Sequence, residues 1–378
     1  MKAIVSVIND LSTDQRVDKV CGSLQGMGYE VILVGRRRRS SIPLSLRSYR
    51  TVRLFLLFEQ GPLFYMFFQL RLFTYLLFHK SDVLVANDLD TLLPNYLISC
   101  LKNLPLVYDT HELFCEVPEL KASPLKRGIW KSLERFIFPK LKYVFTVNDS
   151  IARIYSSEYK VPVRVVRNVP RRARSSDKVF NKPAAALTLP SGKKIILMQG
   201  AGINIQRGAE EVLEAMQYLD QAVLLIIGSG DVIPTLKQMC KELHLEGRVL
   251  FVDRLPFEEL RFYTQLADLG LSLDKDTNLN YRYSLPNKIF DYIHAGVPLF
   301  VSDLPEIREI VEQFGVGVIT PDHEPRHMAS RITEMLSNEP LMKMWKENTK
   351  LAAEKLCWEE EEKVLQEVYR KLLEKKNI

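Results

Sequence analysis

Three short stretches in the second half of the chain set glycine, cation and carboxylate at spacings that suit a phosphorylated ligand. In Gly200-Ala-Gly202-Ile-Asn-Ile-Gln-Arg207-Gly208 an apolar run ends, glycines allow close backbone approach, and Arg207 sits just before a helical pattern. Its guanidinium is a planar fork that matches phosphate oxygens. Gly228-Ser-Gly230 also lies between an apolar run and a helical pattern. Backbone N–H groups and a helix dipole meet an anion at such a place, and a tight strand-to-helix turn explains the same residues equally well. In Tyr283-Ser284-Leu-Pro286-Asn287-Lys288-Ile-Phe-Asp291, Pro286 suits a first helical position and Ser284 can cap. Lys288 adds positive charge where the dipole is already positive, which is unfavourable without an anion to offset it. Asp291, three residues on along the same face, can accept from sugar hydroxyls. Gly296 stops the helix and Pro298 opens the next strand. The combined expectation is a cradle for a nucleotide diphosphate and its ribose.

Such stretches need strands that end beside them. Residues 2–8 form an apolar run, 15–27 a helical pattern and Glu30-Val-Ile-Leu-Val34 a second run, which reads as β-loop-α-β. Asp82-Val-Leu-Val-Ala86, Leu106-Val-Tyr108 and Tyr143-Val-Phe-Thr-Val147 continue the alternation. This predicts a mostly parallel sheet covered on both faces. Residues 168–192, including Asn168-Val-Pro-Arg-Arg172 and Asn181-Lys-Pro-Ala-Ala-Ala186, lack periodicity and read as a linker. The pattern restarts at Lys194-Ile-Ile-Leu-Met198, with helices over 209–219 and 232–243 and strands over 222–227, 248–252, 269–273, 299–302 and 316–319. The expected fold is therefore α/β, two doubly wound domains facing a cleft with ligands at the carboxyl ends of the strands. The first domain takes residues 1–170, a linker 171–192 and the second domain 193–357. The charged amphipathic segment 358–378 returns to the first domain.

With 378 residues, 47% of them hydrophobic and 26% charged, the chain is long enough for two cores and excludes wholesale disorder. A net charge of +6 is modest but concentrated, in Arg36-Arg-Arg-Arg39 with Arg47, Arg50 and Arg53, and in Arg167, Arg171, Arg172 and Arg174. Such clusters attract anionic lipid, nucleic acid or phosphorylated small molecules, or are solvated loops. Five scattered cysteines without ligand spacing point to a reducing compartment and no zinc site. The N-terminus reads as a strand rather than a signal peptide, so a cytoplasmic location is expected. Residues 54–78 are aromatic-rich and apolar, broken by Glu59, Gly61-Pro62 and Arg71. They read as a helix pair lying on a membrane surface, with burial against the sheet as the alternative.

The chain resembles the glycosyltransferases of family 4 (group 1), through Pro286-Asn-Lys-Ile-Phe-Asp-Tyr-Ile-His-Ala-Gly296, Gln206-Arg-Gly208, Gly228-Ser-Gly230, Asn148-Asp-Ser-Ile151 and Arg167-Asn-Val169. The resemblance spans essentially the whole chain and implies a GT-B fold and retaining transfer from a nucleotide-sugar donor. It also implies that Arg207 holds the donor diphosphate and that Asp291 takes the ribose, as the second acidic residue of the family's Glu-seven residues-Glu motif. The first acidic position falls on Tyr283, and the family's other diphosphate arginine on Ala201. Lys288 is expected to take over that second charge. Arg254 and Leu255 fall where the nucleobase is held. In the first domain, His111 of Tyr108-Asp-Thr-His-Glu112 matches the family's active-site histidine, with a capping histidine as the alternative. One of Asp88, Asp90 and Glu112 would assist the acceptor hydroxyl, unless Asp88 caps the following helix. Asp14 and Arg16, in a loop that replaces the family's glycine-rich one, are further acceptor-side candidates.

The sequence therefore reads as a transferase moving sugar from a nucleotide diphosphate to a glycan or lipid-linked acceptor in cell-surface polysaccharide synthesis, peripheral on an anionic inner membrane face. No nucleic-acid partner, no cofactor and no metal are expected, because Asp88-Leu-Asp90 has metal-motif spacing but sits in the first domain. The rivals are a nucleotide-sugar epimerase of similar fold and an inactive nucleotide-binding membrane scaffold. A nicotinamide oxidoreductase is weaker still, because no GxGxxG follows the first strand.

Overall fold

Residues 1–12, 14–172 and 189–376 are described by a computed structural model of the chain. Arg174 and most of the expected linker lie outside the described residues. The chain divides into two compact units, Met1–Asn168 with Trp358–Ile378, and Val169–Cys357.

In the first unit the apolar runs become strands β1 (Lys2–Ser6), β2 (Glu30–Arg37), β3 (Arg50–Phe55), β4 (Val83–Asn87), β5 (Leu106–Asp109), β6 (Tyr143–Thr146) and β7 (Val163–Val165). They form a parallel sheet in the order β3-β2-β1-β4-β5-β6-β7. The order reverses between β1 and β4, so the loops leaving those strands diverge and open a crevice at their carboxyl ends. The Trp358–Lys376 helix belongs to this unit, as expected: Trp358 is fully buried and donates from Nε1 to Ser23 Oγ at 2.9 Å. Its Leu365, Val368, Tyr369 and Leu372 join the same core as Val17, Val20 and Leu24.

The expected helix pair over 54–78 is corrected. Leu54 and Phe55 end strand β3, and Gly61–Phe78 is one helix of 18 residues. Phe64, Phe68, Leu72 and Leu76, one stripe at i, i+4 spacing, are buried. Leu63, Met66, Leu70 and Phe78 are exposed on the same helix.

The second unit repeats the plan with β8 (Lys194–Gly200), β9 (Ala222–Gly228), β10 (Val249–Val252), β11 (Leu269–Ser272), β12 (Leu299–Ser302) and β13 (Gly317–Thr320). The parallel order β10-β9-β8-β11-β12-β13 puts the reversal between β8 and β11. The Asn287–Ala295 helix is seated on this sheet by Tyr292, whose hydroxyl donates to the Leu197 carbonyl at 3.1 Å and accepts from the Gln199 N–H at 3.2 Å. Its ring lies where any Cβ on Gly270 would stand, 2.5 Å away. Gly296 ends the helix in the left-handed conformation at φ 77°, as its position predicts.

Candidate active site

The loop leaving β8 and the residues after β11 meet at the reversal point of the second sheet. Arg207 Nη1 donates to Asp274 Oδ2 at 3.1 Å, and its guanidinium lies 4.7 Å from the centre of the Tyr281 ring. Asp274 is wholly buried, and its Oδ1, like Arg207 Nε, is buried without a hydrogen-bond partner among the described residues. The loop reaches this place because Gly208, at φ 73°, packs so closely that a Cβ would stand 2.4 Å from Leu273 Cβ. Asp274 was missed by sequence reasoning, since only the strand order reveals that β11 lies beside β8.

Lys288, half-buried, lies near enough to feel the charge of the same carboxylate. Burial pushes its ammonium below the usual lysine range, Asp274 opposes the shift and Arg207 adds to it. Lys288 lies in the first turn of the Asn287–Ala295 helix, whose N-terminus has no side-chain cap. Two sequence expectations change here. Pro286 is the N-cap residue rather than the first helical one, and Ser284 donates to the Tyr281 carbonyl at 2.8 Å instead of capping. Uncapped N–H groups near two cations favour an anion.

Asp291 lines a shallow, solvent-open depression with Gln199, Phe257, Arg261, Thr264 and His294. Gln199 orders this wall: its Oε1 accepts from the Thr264 hydroxyl at 2.7 Å and its Nε2 donates to Asp291 Oδ2 at 3.4 Å. Arg254 is exposed just beyond β10, Leu255 packs on the core, and Tyr283 is half-buried. Gly228 and Gly230 have a packing reason: a Cβ on either would stand 1.8 Å from the carbonyl oxygen of Gly200 or Ile203. Their loop bonds to the Gly202 loop through the Ile203 N–H and the Ser229 carbonyl at 2.9 Å, and the next helix starts only at Ile233. They brace the Gly200–Gly208 loop rather than open a helix themselves.

The first unit gathers its polar residues at the ends of β4 and β5. Asp88 occupies the N-cap position of the Leu89–Lys102 helix but makes no capping bond. Its Oδ1 accepts from the His111 backbone N–H at 2.8 Å and its Oδ2 lies 3.2 Å from His111 Nδ1. The capping alternative for Asp88 therefore gives way to a carboxylate–imidazole pair. Burial lowers the His111 pKa, but Asp88 and Asp109 outweigh it and raise it to about 9. Burial raises the Asp88 carboxyl against the opposing pull of His111. Asp90 is buried with Oδ1 unpartnered, and burial and Asp88 push its carboxyl well above the usual range. Glu112 is half-buried next to His111.

The weaker candidates of the first loop have other work. Asp14 caps its helix, accepting from the Val17 N–H at 3.0 Å. Arg16 is buried and grips Asp109 with Nε to Oδ2 at 3.0 Å and Nη2 to Oδ1 at 2.6 Å. Among the described residues, no group of three or more His, Cys, Asp and Glu side chains is arranged to hold a metal ion.

Residues 15–170 match the family model described as glycosyltransferase family 4, and residues 180–352 the one described as glycosyl transferases group 1. A chitobiosyldiphosphodolichol beta-mannosyltransferase from Debaryomyces hansenii is 27% identical over 153 residues, 39% of this chain and 32% of that protein's length. The chain thus matches about a third of that relative. Sucrose-phosphate synthase from Thermosynechococcus elongatus superposes with a TM-score of 0.79 at 18% identity, covering 99% of each chain. The Anabaena protein HepE, solved in complex with UDP-glucose, gives 0.71 at 14% identity over 98% of this chain and 100% of its own. At these identities the likeness is one of fold.

Proposed function

Because the chain belongs to the group 1 and family 4 glycosyltransferases, we propose that it moves a sugar from a nucleotide diphosphate donor to a glycan or lipid-linked acceptor, with retention of anomeric configuration. The observation that carries the donor half is the Arg207–Asp274 pair at the loop after β8, with Lys288 nearby in the first turn of a helix whose N-terminus is uncapped. Two cations, one anion and a helix dipole leave a net positive site. As the glycosidic bond breaks, negative charge builds on the departing diphosphate, and fixed cations stabilise it more than they stabilise the intact donor. In this reading Asp291 and the depression it lines take the ribose and base, and no divalent metal is needed because Arg207 and Lys288 supply the charge.

His111 and Asp88 are the acceptor-side pair of this reading. Asp88 is the base that relieves the acceptor hydroxyl of its proton, while His111, paired with it through Nδ1, orients that carboxylate. Asp90, with its carboxyl pushed well above the usual range, is the poorer base. The name of the Debaryomyces relative describes a dolichol diphosphate glycan as acceptor, which supports a lipid-linked one here. It also describes a beta linkage, so product anomer is a required measurement.

Calorimetry with a panel of nucleotide diphosphates and their sugars, with and without magnesium, tests the donor half. Metal-independent binding of one nucleotide, weakened in Arg207→Ala, is expected. No binding to any of them overturns the proposal, and donor turnover to an epimer without acceptor favours the epimerase.

Membrane contact is part of the same proposal. Gly61–Phe78 is, among the described residues, the helix long and apolar enough to cross a membrane, yet its Phe64 to Leu76 stripe is committed to the core. A helix so held lies along a bilayer surface, with Leu63, Met66 and Leu70 outward and Arg37 to Arg39 exposed near its start, where Arg36 stacks on Phe64 at 4.4 Å. Sedimentation with phosphatidylglycerol vesicles but not phosphatidylcholine ones, lost in Leu63→Ser with Met66→Ser, is expected. Equal recovery with both lipids refutes an anionic inner-face location.

A further inference from the structure

We propose that Arg36 at the end of β2, with Arg38 and Arg39 in the loop after it, holds a diphosphate through which the acceptor sugar is joined to its lipid. The inference rests on the reading of the chain as a transferase with a lipid-linked acceptor, and it names the group that such an acceptor carries.

The arginines stand level with the acceptor-side pair. Ala86 of β4 and Val34 of β2 both lie against Ser6 of β1, so Asp88 and Arg36, each two residues further on, reach the same height at the carboxyl ends of the sheet. Two strand spacings separate them, about 10 Å. One sugar ring bonded to a phosphate bridges such a gap. The Asp90 carboxyl, in the first turn of the helix after β4, feels the charge of Arg36.

Positive charge is in excess at this end of β2. Arg36 Nη1 donates to the Glu59 carbonyl at 3.3 Å, and the Arg39 N–H to Glu59 Oε1 at 2.7 Å. Asp10 accepts from the Ser12 and Ser41 hydroxyls at 2.5 and 3.4 Å and feels Arg38 and Arg53. Arg53 donates to the Asp10 and Ile42 carbonyls, both at 2.7 Å. Four arginines, Arg36, Arg38, Arg39 and Arg53, thus meet two carboxylates, Asp10 and Glu59, and two positive charges are left over. Arg38 and Arg39 are exposed, and neither side chain forms a hydrogen bond or ion pair with a described residue. Burial and Arg38 push the Arg36 guanidinium below the usual arginine range against the pull of Tyr65, Asp10 and Glu59, so an added anion relieves it. A lipid-linked sugar diphosphate is a diester with one negative charge on each phosphorus, and guanidinium forks match its oxygens.

An apolar shelf begins at the same residues. Leu57 and Phe58, just before Glu59, are exposed, Arg36 stacks on Phe64 at 4.4 Å, and Leu63, Met66 and Leu70 are exposed on the Gly61–Phe78 helix. Lipid, diphosphate and sugar each find their own chemistry on this unit, in the shelf, the arginines and Asp88. A bulk phospholipid would use the first two and leave Asp88 without a hydroxyl to meet.

The full-length Arg207→Ala protein, its donor site weakened, is titrated calorimetrically with farnesyl diphosphate, farnesyl monophosphate and farnesol. The diphosphate should bind best and farnesol not measurably. Arg38→Gln with Arg39→Gln changes two exposed side chains that the fold does not use, and should weaken diphosphate binding about tenfold or more. Arg36→Lys, which keeps the charge and loses the fork, should weaken it as well. Dihexanoyl phosphatidylglycerol should displace the diphosphate only weakly. Equal competition by that phospholipid assigns the arginines to the general membrane surface and overturns the proposal. Diphosphate binding that is absent, or indifferent to Arg38 and Arg39, overturns it too. The two readings fail separately: no nucleotide binding by the wild type overturns the transferase, whereas nucleotide binding without an arginine-dependent diphosphate site overturns this inference alone.

Discussion

Asp88 stands at φ 58° and ψ 167°, a backbone region that residues with a Cβ rarely enter. Its N–H bonds to the Asp109 carbonyl and its carboxylate to two points of His111, so the surroundings hold it there. Replacing it by alanine and by glycine separates strain from chemistry. Both remove the carboxylate, and only glycine removes the strain, which is about 1–3 kcal/mol for such a conformation. Glycine gives back roughly 0.5–1 kcal/mol through its freer unfolded chain. Asp88→Gly should therefore be more stable than Asp88→Ala by about 0.5–2 kcal/mol, or about 1–8 °C in melting temperature for a unit of this size. Donor turnover should fall alike in both. Scanning calorimetry at pH 7 and again near pH 9 adds a sign check through His111. Its raised pKa contributes stability fully present below its ordinary 6.5 and lost as pH rises through about 9, at most about 3 kcal/mol. Both variants should show a smaller loss over that window than the wild type. An alanine variant as stable as the glycine one refutes the strain, and a glycine variant with wild-type turnover refutes the role of the carboxylate.

Lys288 gives a pH prediction of its own. Donor affinity should fall as pH rises through the depressed lysine pKa, and Lys288→Met should bind more weakly and lose that alkaline limb in a calorimetric titration. Gly230→Ala puts a Cβ 1.8 Å from the Ile203 carbonyl, so the two loops must separate. Donor binding should fall tenfold or more while the second unit still melts cooperatively. Trp358→Ala removes a fully buried indole that bonds Ser23, and should destabilise the first unit by about 3–5 kcal/mol without changing nucleotide binding by the second.

Most strands were legible because parallel strands buried on both faces are continuous apolar runs, as in Val83 to Ala86 and Ala222 to Ile227. Strand β3 was not, because it lies at a sheet edge and carries Arg50 and Arg53 among its apolar residues. β7 has only three residues, too few for a period. The Gly61–Phe78 helix is apolar on every side, so its buried stripe has no polar counterpart to stand out against. At the site, Arg207, Lys288, Asp291 and His111 could be picked out because glycine, helix-start and resemblance signals surround them. Asp109 and Asp274 could not, since each matters through a partner more than 60 residues away, Arg16 and Arg207. Pairings of that kind are decided by strand order.

Each unit uses a buried carboxylate to hold an arginine, at the end of β5 in the first and just after β11 in the second, yet the balance of charge differs. In the second unit Asp274 holds Arg207, Lys275 is matched by Glu211, and Lys288 lies near enough to feel both Arg207 and Asp274. One positive charge is left over, and the uncapped helix N-terminus adds to it. In the first unit Arg16 and His111 are balanced by Asp109 and Asp88, and burial together with Asp88 favours the neutral acid of Asp90. Nothing positive is left over beside His111 for a diphosphate. A neutral polar site with a base and an imidazolium suits hydroxyl groups, which lose little when they leave water for such partners. The proposed division of labour, donor phosphates on the second unit and hydroxyls on the first, is consistent with that difference in charge.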